Sequence, residues 1–587
     1  MEKLMQLRKA MTAHALAGYI QPVHDEYMSE YPPACNRRVE WLCGFSGSAG
    51  SAAVLRDKAA LFTDGRYTLQ AQNETDAALY EQHNTASMLP ESWLAVQAHS
   101  GDKIGYDAKL YTRTMLARMK TVLGKKGIEL VAVENLVDGI WLDRPAAPAT
   151  PLFMHELRYA GVESSAKRRR IGEQVALAGA DAALLTAPDA VNWLLNIRGR
   201  DVENTPLALG VAIIEASARV HFYIMPSRCD EAVRAHLGDE VMLCEPSALE
   251  EGLLSLGKYR VLCDPQAVPV WFTQTLEKAG AKIVEAQDPC MLAKAVKNPV
   301  ELKGIRSAHI RDGAAVVKLL CWMEGKSVTE IEVSEKLLYF RAQHPMFVEP
   351  SFTTIAGSGP HGAIVHYRVT PQSDRAAKEG ELFLLDSGGQ YPDGTTDITR
   401  TFPIGAPTQE HKECFTRVLK GHIALATAFF PHGTSGSQLD ALARQYLWQA
   451  GLDYDHGTGH GVGCFLGVHE GPQRISKRGG DAPLKPGMIV SNEPGYYKAG
   501  EFGIRIENLV AVVEKNPSPS PLEGGGDYLG FDTVTCVPID TRLVEISMLT
   551  AQEKQWLNAY HAWVLEQLAD MLDTQEQAWL KARCAAI

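Results

Sequence analysis

Four carboxylates and three histidines in the C-terminal half of the chain sit where ordinary packing does not want them. In "LFLLDSGGQYPDGTTDITRTF", residues 382–402, two apolar stretches flank a turn, and each carries an acid: Asp386 and Asp397. A buried carboxylate costs several kcal/mol unless it is paired or bound to a cation. Glu493 follows the apolar run of "GMIVSNEPGYY", and Glu507 lies in "FGIRIENLVAVV" with Arg505 two residues earlier. Between these acids, "DYDHGTGHGVGCFLGVHEGP" holds His456, His460 and His469 among glycines that let another backbone or a ligand come close. Each feature alone has a bland explanation: a carboxylate pair in a solvated turn, a structural histidine, a surface Arg-x-Glu pair. Together, Asp386, Asp397, His460, Glu493 and Glu507 make an oxygen-rich set without thiolates, which suits manganese, cobalt or zinc. Four negative charges exceed one dication and match two. A metal pair about 3.5–4 Å apart is a hydrolytic arrangement.

The elements that must position these residues are readable. The segments around Asp386 and Asp397 are strand-like, with Pro392-Asp393-Gly394 in the turn, so a hairpin can bring the two acids side by side. Glu493 comes at the end of an apolar strand. "FGIRIENLVAVV" alternates as one strand, with Arg505 and Glu507 on one face. Upstream, "VELKGIRSAHIRDGAAVVKLLCWMEG" is a long amphipathic helix, and "LTAQEKQWLNAYHAWVLEQLADML" is a C-terminal helix.

The chain has 587 residues, enough for three or four domains at about 150 residues each. An echo runs through its first half: "VEWLCGFSGSAGSAAVLRDKAALFTDGRY" from Val39 and "VNWLLNIRGRDVENTPLALGVAIIEASARVHFYIM" from Val191 each give a Trp-Leu pair, a polar loop and two apolar strands. Tandem related α/β domains explain it, and chance Trp-Leu matches are the alternative. The Pro-rich Asp143–Phe153 segment is the expected linker. Boundaries at 1–148, 149–297 and 298–587 follow. The run Lys167-Arg168-Arg169-Arg170 is expected on a solvated helix face. A net charge of −12 gives no basic footprint for nucleic acid. No apolar stretch reaches the roughly 18–20 residues that span a bilayer, and the amphipathic N-terminus is unlike a signal peptide. Eleven scattered cysteines without a C-x-x-C pair predict reduced thiols in a cytoplasmic protein.

The segments "GSGPHGAIVHY", "LLDSGGQY…DITRTF", "HGTGHGVG…VHEGP", "NEPGYY" and "RIEN" resemble the pita-bread metallopeptidases, and among them the three-domain Xaa-Pro aminopeptidases (aminopeptidase P). The resemblance spans almost the whole chain, with "WLCGFSGSAG…FTDGRY" and "NWLLNIRGRDVENTP" matching that family's first and second domains. It implies an α/β (α+β) fold of two tandem related creatinase-like α/β domains followed by a pita-bread catalytic domain. It also implies a dimetal aminopeptidase that releases the N-terminal residue from Xaa-Pro peptides by attack of a metal-bridging hydroxide on the scissile carbonyl. Asp386 then binds one metal through both oxygens, Asp397 and Glu507 bridge, and His460 and Glu493 hold the other. Glu493 is the implied proton acceptor. His366 and His469 contact substrate and stabilise the tetrahedral intermediate, His456 lines the proline side, and Tyr497 and Arg505 are substrate-side or supporting residues. Two manganese ions are expected, with zinc or cobalt as alternatives. The partners are peptide substrates and, by resemblance, a second copy of the chain in a cytoplasmic homodimer. The rival readings are a prolidase, which carries one N-terminal domain, a methionine aminopeptidase, which needs little beyond the catalytic domain, and a non-enzymatic binding module that has lost the ligands.

Overall fold

The echo in the first half of the sequence is a repeat of topology. In one sheet, Gly18–Pro22 is central, antiparallel to Ser51–Leu55 and parallel to Lys103–Tyr106. Ala59–Thr63 and Glu81–Asn84 extend one side, and Glu129–Ala132 the other. In a second sheet, Ala182–Leu185 takes the central place between Val211–Glu215, antiparallel, and Arg260–Cys263, parallel. Val220–Tyr223, Val241–Cys244 and Lys282–Glu285 complete it in the same order and the same senses. Trp41 and Trp193 lie on the corresponding helices, Arg38–Cys43 and Pro188–Leu195, each between the central strand and its antiparallel neighbour. Six strands agreeing in order and sense are a duplication, not a coincidence of Trp-Leu pairs.

This computed structural model describes residues 1–515 and 528–587. It divides into two compact units: Met1–Glu156 with Val162–Met291, which holds both sheets above, and Leu157–Gly161 with Leu292–Ile587. In the first unit the helix Glu2–Ala13 buries Leu4, Leu7 and Met11 along one stripe, as its amphipathic pattern predicts. The basic run departs from expectation. Arg169 and Arg170 are exposed, but Lys167 and Arg168 are buried. The Lys167 ammonium donates to the Trp193 carbonyl at 3.0 Å and to Asn196 Oδ1 at 2.7 Å, satisfying the C-terminal end of the helix Pro188–Leu195. Arg168 donates to Glu240 at 2.9 Å. A helix carrying four consecutive cations turns two of them inward, because successive residues sit 100° apart. None of the eleven cysteines, all among the described residues, is in a disulfide.

The longest helix of the second unit among the described residues is the 25-residue Pro299–Met323, started by an Asn298 capping box with Glu301. Its apolar side joins the largest core cluster, with Phe383, Leu385, Phe415 and Val537. A three-stranded sheet orders Ile355–Ser358, Leu382–Ser387 and Ile398–Pro403. A six-stranded sheet includes Gly459–Gly461, Glu470–Ile475, Ile489–Asn492 and Asn508–Glu514. The C-terminal helix runs Ala551–Leu568, and a second helix, Thr574–Arg583, follows it. Among the described residues, no helix is long and apolar enough to cross a membrane.

Candidate metal centre

The two aspartates are not cross-strand partners. In the ladder between Leu382–Ser387 and Ile398–Pro403, Asp386 faces Thr399 and the last pair is Ser387 with Ile398. The turn at Pro392-Asp393-Gly394 instead closes a separate short ladder, with Gln390 facing Thr395 and Tyr391 facing Gly394. Asp397 lies in the break between the two ladders. Gly388 stands beside that break, where an added Cβ would sit 2.0 Å from the Thr396 carbonyl oxygen and 2.1 Å from Ser351 Oγ. The chain bends so tightly there that only glycine fits.

Glu493 and Glu507 are a matched pair. Strands Ile489–Asn492 and Asn508–Glu514 end on the facing pair Asn492 and Asn508, and each glutamate lies one residue beyond. The segment expected as a single strand breaks at Ile506 and Glu507: Phe502–Arg505 pairs with Gly495–Lys498 in its own ribbon. The break frees the Glu507 backbone to leave that ribbon, and its N–H donates to the Thr399 carbonyl at 3.2 Å. Thr399 Oγ1 donates to Glu507 Oε2 at 2.8 Å and accepts from Arg505 Nε at 3.0 Å. Arg505 and Glu507 thus share one face, joined by a hydroxyl that the sequence reading missed. Its signal was there: Thr399 stands two residues past Asp397.

His460 comes from Gly459–Gly461, which pairs with Glu470–Ile475 and touches Ile489–Asn492. A Cβ on Gly459 would lie 1.9 Å from the Ser491 carbonyl oxygen, so the approach requires glycine. His460 Nδ1 lies 2.9 Å from the Gly461 carbonyl, which makes Nδ1 the hydrogen-bearing nitrogen and leaves Nε2 for a metal. Nε2 is 3.4 Å from Asp397 Oδ2 and 3.5 Å from Glu493 Oε1. Ser491 Oγ donates to Glu493 Oε1 at 3.0 Å and accepts from the His460 backbone N–H at 2.9 Å.

Burial and mutual repulsion disfavour the charged forms of several acids in this cluster. Burial, opposed by the Arg505 guanidinium and reinforced by the Asp397 charge, pushes the Asp386 carboxyl up to about 7. Burial and the charges of Asp397, Glu493 and Asp386 drive Glu507 well above the usual carboxylate range, and burial raises Glu493 despite His460 and Arg505. For His460, burial pulls downward, but the hydrogen bond to Asp397 and the Glu493 charge outweigh it and raise the imidazole to about 9. Ligand atoms of Asp397, His460 and Glu507 all lie within 4.8 Å of one another. Asp386 Oδ1 is buried without a hydrogen-bond partner. An orphaned carboxylate oxygen of Asp386 beside three further acids and one imidazole fits divalent metal, which makes the anionic forms favourable.

The remaining predicted residues ring this cluster. His456 Nε2 is 2.8 Å from the Tyr497 hydroxyl, and His456 Nδ1 is 2.7 Å from the Gly457 carbonyl. Tyr497 therefore donates to His456 while accepting from Arg505 Nη1 at 2.6 Å, and Arg505 Nη2 donates to Asp386 Oδ2 at 2.5 Å. The His469 ring stands edge-on to that of His460, 4.3 Å between centroids. His366 lies in a half-buried turn after the Gly359–Ala363 segment, and Arg505 Nη2 reaches the neighbouring Val365 carbonyl at 3.4 Å.

The chain resembles known metallopeptidases along its whole length. Residues 303–514 match metallopeptidase family M24, residues 3–140 and 143–301 each match the creatinase/prolidase N-terminal domain, and residues 527–587 match the C-terminal region of peptidase M24. Aminopeptidase P2 of Arabidopsis thaliana is 40% identical over 99% of this chain and 88% of its own length. The crystal structure of X-prolyl aminopeptidase from Caenorhabditis elegans, described as a cytosolic enzyme with a di-nuclear active site, superposes with a TM-score of 0.95 at 36% identity. It covers 100% of this chain and 99% of its own. The Xaa-Pro dipeptidase of Bacillus anthracis, 25% identical with a TM-score of 0.52, covers 64% of this chain and 99% of its own. Two creatinase/prolidase N-terminal domain matches ahead of the M24 match, with aminopeptidases similar along the whole chain, place it in the aminopeptidase P group of metallopeptidase family M24.

Proposed function

We propose that this chain releases the N-terminal residue from peptides with proline in second position, using two divalent ions held by Asp386, Asp397, His460, Glu493 and Glu507. The observation that carries the reading is the convergence of Asp397, His460 and Glu507 within 4.8 Å, beside Glu493 and Asp386, in a buried acidic cluster that two dications would neutralise. Bound there, the ions would supply a deprotonated water at neutral pH and polarise the scissile carbonyl. Glu493, held by Ser491 Oγ, accepts a proton and returns it to the departing proline nitrogen. That nitrogen is a tertiary amide with no hydrogen of its own, so the pocket recognises the ring instead. His366 and His469 donate to the developing oxyanion. His456, oriented by Tyr497, lines the proline side, and Arg505 holds Asp386 and Tyr497 in register. The thiolate-free ligand set favours manganese, then zinc or cobalt.

We further assign the domains as 1–148, 149–297 and 298–587, and the protein as a cytoplasmic homodimer. The cytosolic relative from Caenorhabditis elegans supports the compartment. Sedimentation as a single 64.2 kDa species would refute the dimer. The activity is tested with Arg-Pro-Pro, using protein stripped of metal and reloaded with manganese, alongside Asp397→Asn. Free arginine released only with metal, and not by the mutant, is expected. Turnover of Gly-Pro but not of Arg-Pro-Pro would make the protein a prolidase.

A further inference from the structure

Among the buried ion pairs outside the metal centre, one joins two lysines to a single glutamate. Glu470 is held by two lysines: Lys294 Nζ is 2.8 Å from Oε2, and Lys297 Nζ donates to Oε1 and, at 3.0 Å, to the Lys294 carbonyl. The three side chains are only 1–3% exposed. Replacing such a buried group by apolar residues is often neutral or stabilising, so stability does not explain it. Its place in the fold does. Glu470 opens the strand Glu470–Ile475, where the register jumps: His460 faces Arg474, but Gly461 faces Glu470. Residues 471–473 are looped out, so the ladder alone does not fix where the strand begins. The lysines sit on a firm base. Val296 bridges Met488, the Lys297 N–H donates to the Gly487 carbonyl at 3.0 Å, and the Asn298 capping box follows at once.

His469 is the residue before Glu470. His469 lies in the bend that enters this strand. With Glu470 anchored in the lysines, the end of that bend is fixed, and the His469 ring rests edge-on against that of His460. We propose that Lys294, Lys297 and Glu470 are positioning residues that set the reach of His469 toward substrate. This rests on the reading of His469 as an oxyanion donor.

The test is a double-mutant cycle on the manganese-loaded enzyme with Arg-Pro-Pro: wild type, Glu470→Gln, His469→Ala and the double mutant. Glu470→Gln is expected to lower kcat about 10- to 100-fold, the usual range for a residue supporting an active-site group, with KM within about twofold and two manganese ions per chain retained. In the His469→Ala background the same change should cost nothing further. An equal loss in both backgrounds, or no loss in the wild type, overturns the proposal while leaving His469 in its role. Full activity of His469→Ala alone would overturn that role, and the proposal with it. Lys297→Met, which leaves Lys294 on the carboxylate, is the milder variant should Glu470→Gln fail to fold. It should show a smaller, equally non-additive loss that Lys297→Arg largely restores, and failure of Lys297→Arg to restore it counts against the proposal.

Discussion

Asp386 offers a direct test of whether this site is built for metal or for its own salt bridge. Arg505 Nη2 lies 2.5 Å from Asp386 Oδ2, which taken alone would lower the carboxyl's pKa. Burial and the neighbouring acids prevail, and the metal-free folded protein holds the Asp386 proton up to about pH 7, against 3.8 for the free side chain. Because the folded value lies above the unfolded one, the stability linked to this proton is fully present below pH 3.8 and is lost as pH rises to about 7. At about 1.4 kcal/mol per pH unit, the loss from pH 4.5 to 7.5 is about 3 kcal/mol. Asp386→Asn has no proton to lose there. The assay is thermal unfolding of both proteins after chelation, across that range. Their difference cancels the titration of groups remote from Asp386 and leaves that carboxyl together with the acids coupled to it. The wild type should fall by about 3 kcal/mol relative to the mutant, on the order of 5–10 °C in Tm for a unit of this size. A difference that stays constant with pH, or a wild type that gains on the mutant, would refute the reasoning: Arg505 would then have stabilised the carboxylate, and the cluster would need no metal to explain it.

Other residues make sharper local tests. Thr399→Val removes the hydroxyl that donates to Glu507 Oε2 and accepts from Arg505, and should weaken manganese binding about 10- to 100-fold in a chelator competition with the fold intact. Gly388→Ala would place a methyl 2.0 Å from the Thr396 carbonyl oxygen and should cost at least about 1–3 kcal/mol in urea unfolding, with a loss of bound metal. Lys167→Met leaves the Trp193 carbonyl and Asn196 Oδ1 without their buried donor, and should cost about 1–3 kcal/mol while kcat/KM on Arg-Pro-Pro is unchanged.

Much of this protein could be read from its sequence alone, because much of it is local. Asp386, Asp397 and Glu493 stood out as acids at the ends of apolar strands, where a side chain can be buried and still face an open site, and Glu507 as an acid within an apolar strand. The glycines around His460 signalled close approach, and the Ser491 carbonyl 1.9 Å from a Cβ on Gly459 is that approach. The long helix from Pro299 was legible because its apolar stripe repeats within a few turns, whereas its Asn298 capping box was found only in the structure. The Trp-Leu echo marked a duplication, though the identical strand orders appear only in the folded sheets.

Tertiary structure decided what depends on partners far along the chain. Asp397 falls in a break between ladders, and "FGIRIENLVAVV" splits between two sheets, because register answers to strands distant in sequence. Lys167 and Arg168 are buried because a helix end and Glu240, 26 to 72 residues away, give their charges donors' work to do. Glu470 read as part of a histidine motif, and its two lysines, 173 residues upstream in the case of Lys297, were invisible to local pattern. Spacing along the chain fixes which residues can share a strand or a helix face. Which buried charges find each other is set by packing, since the cost of leaving one unpaired is met only by a neighbour in space.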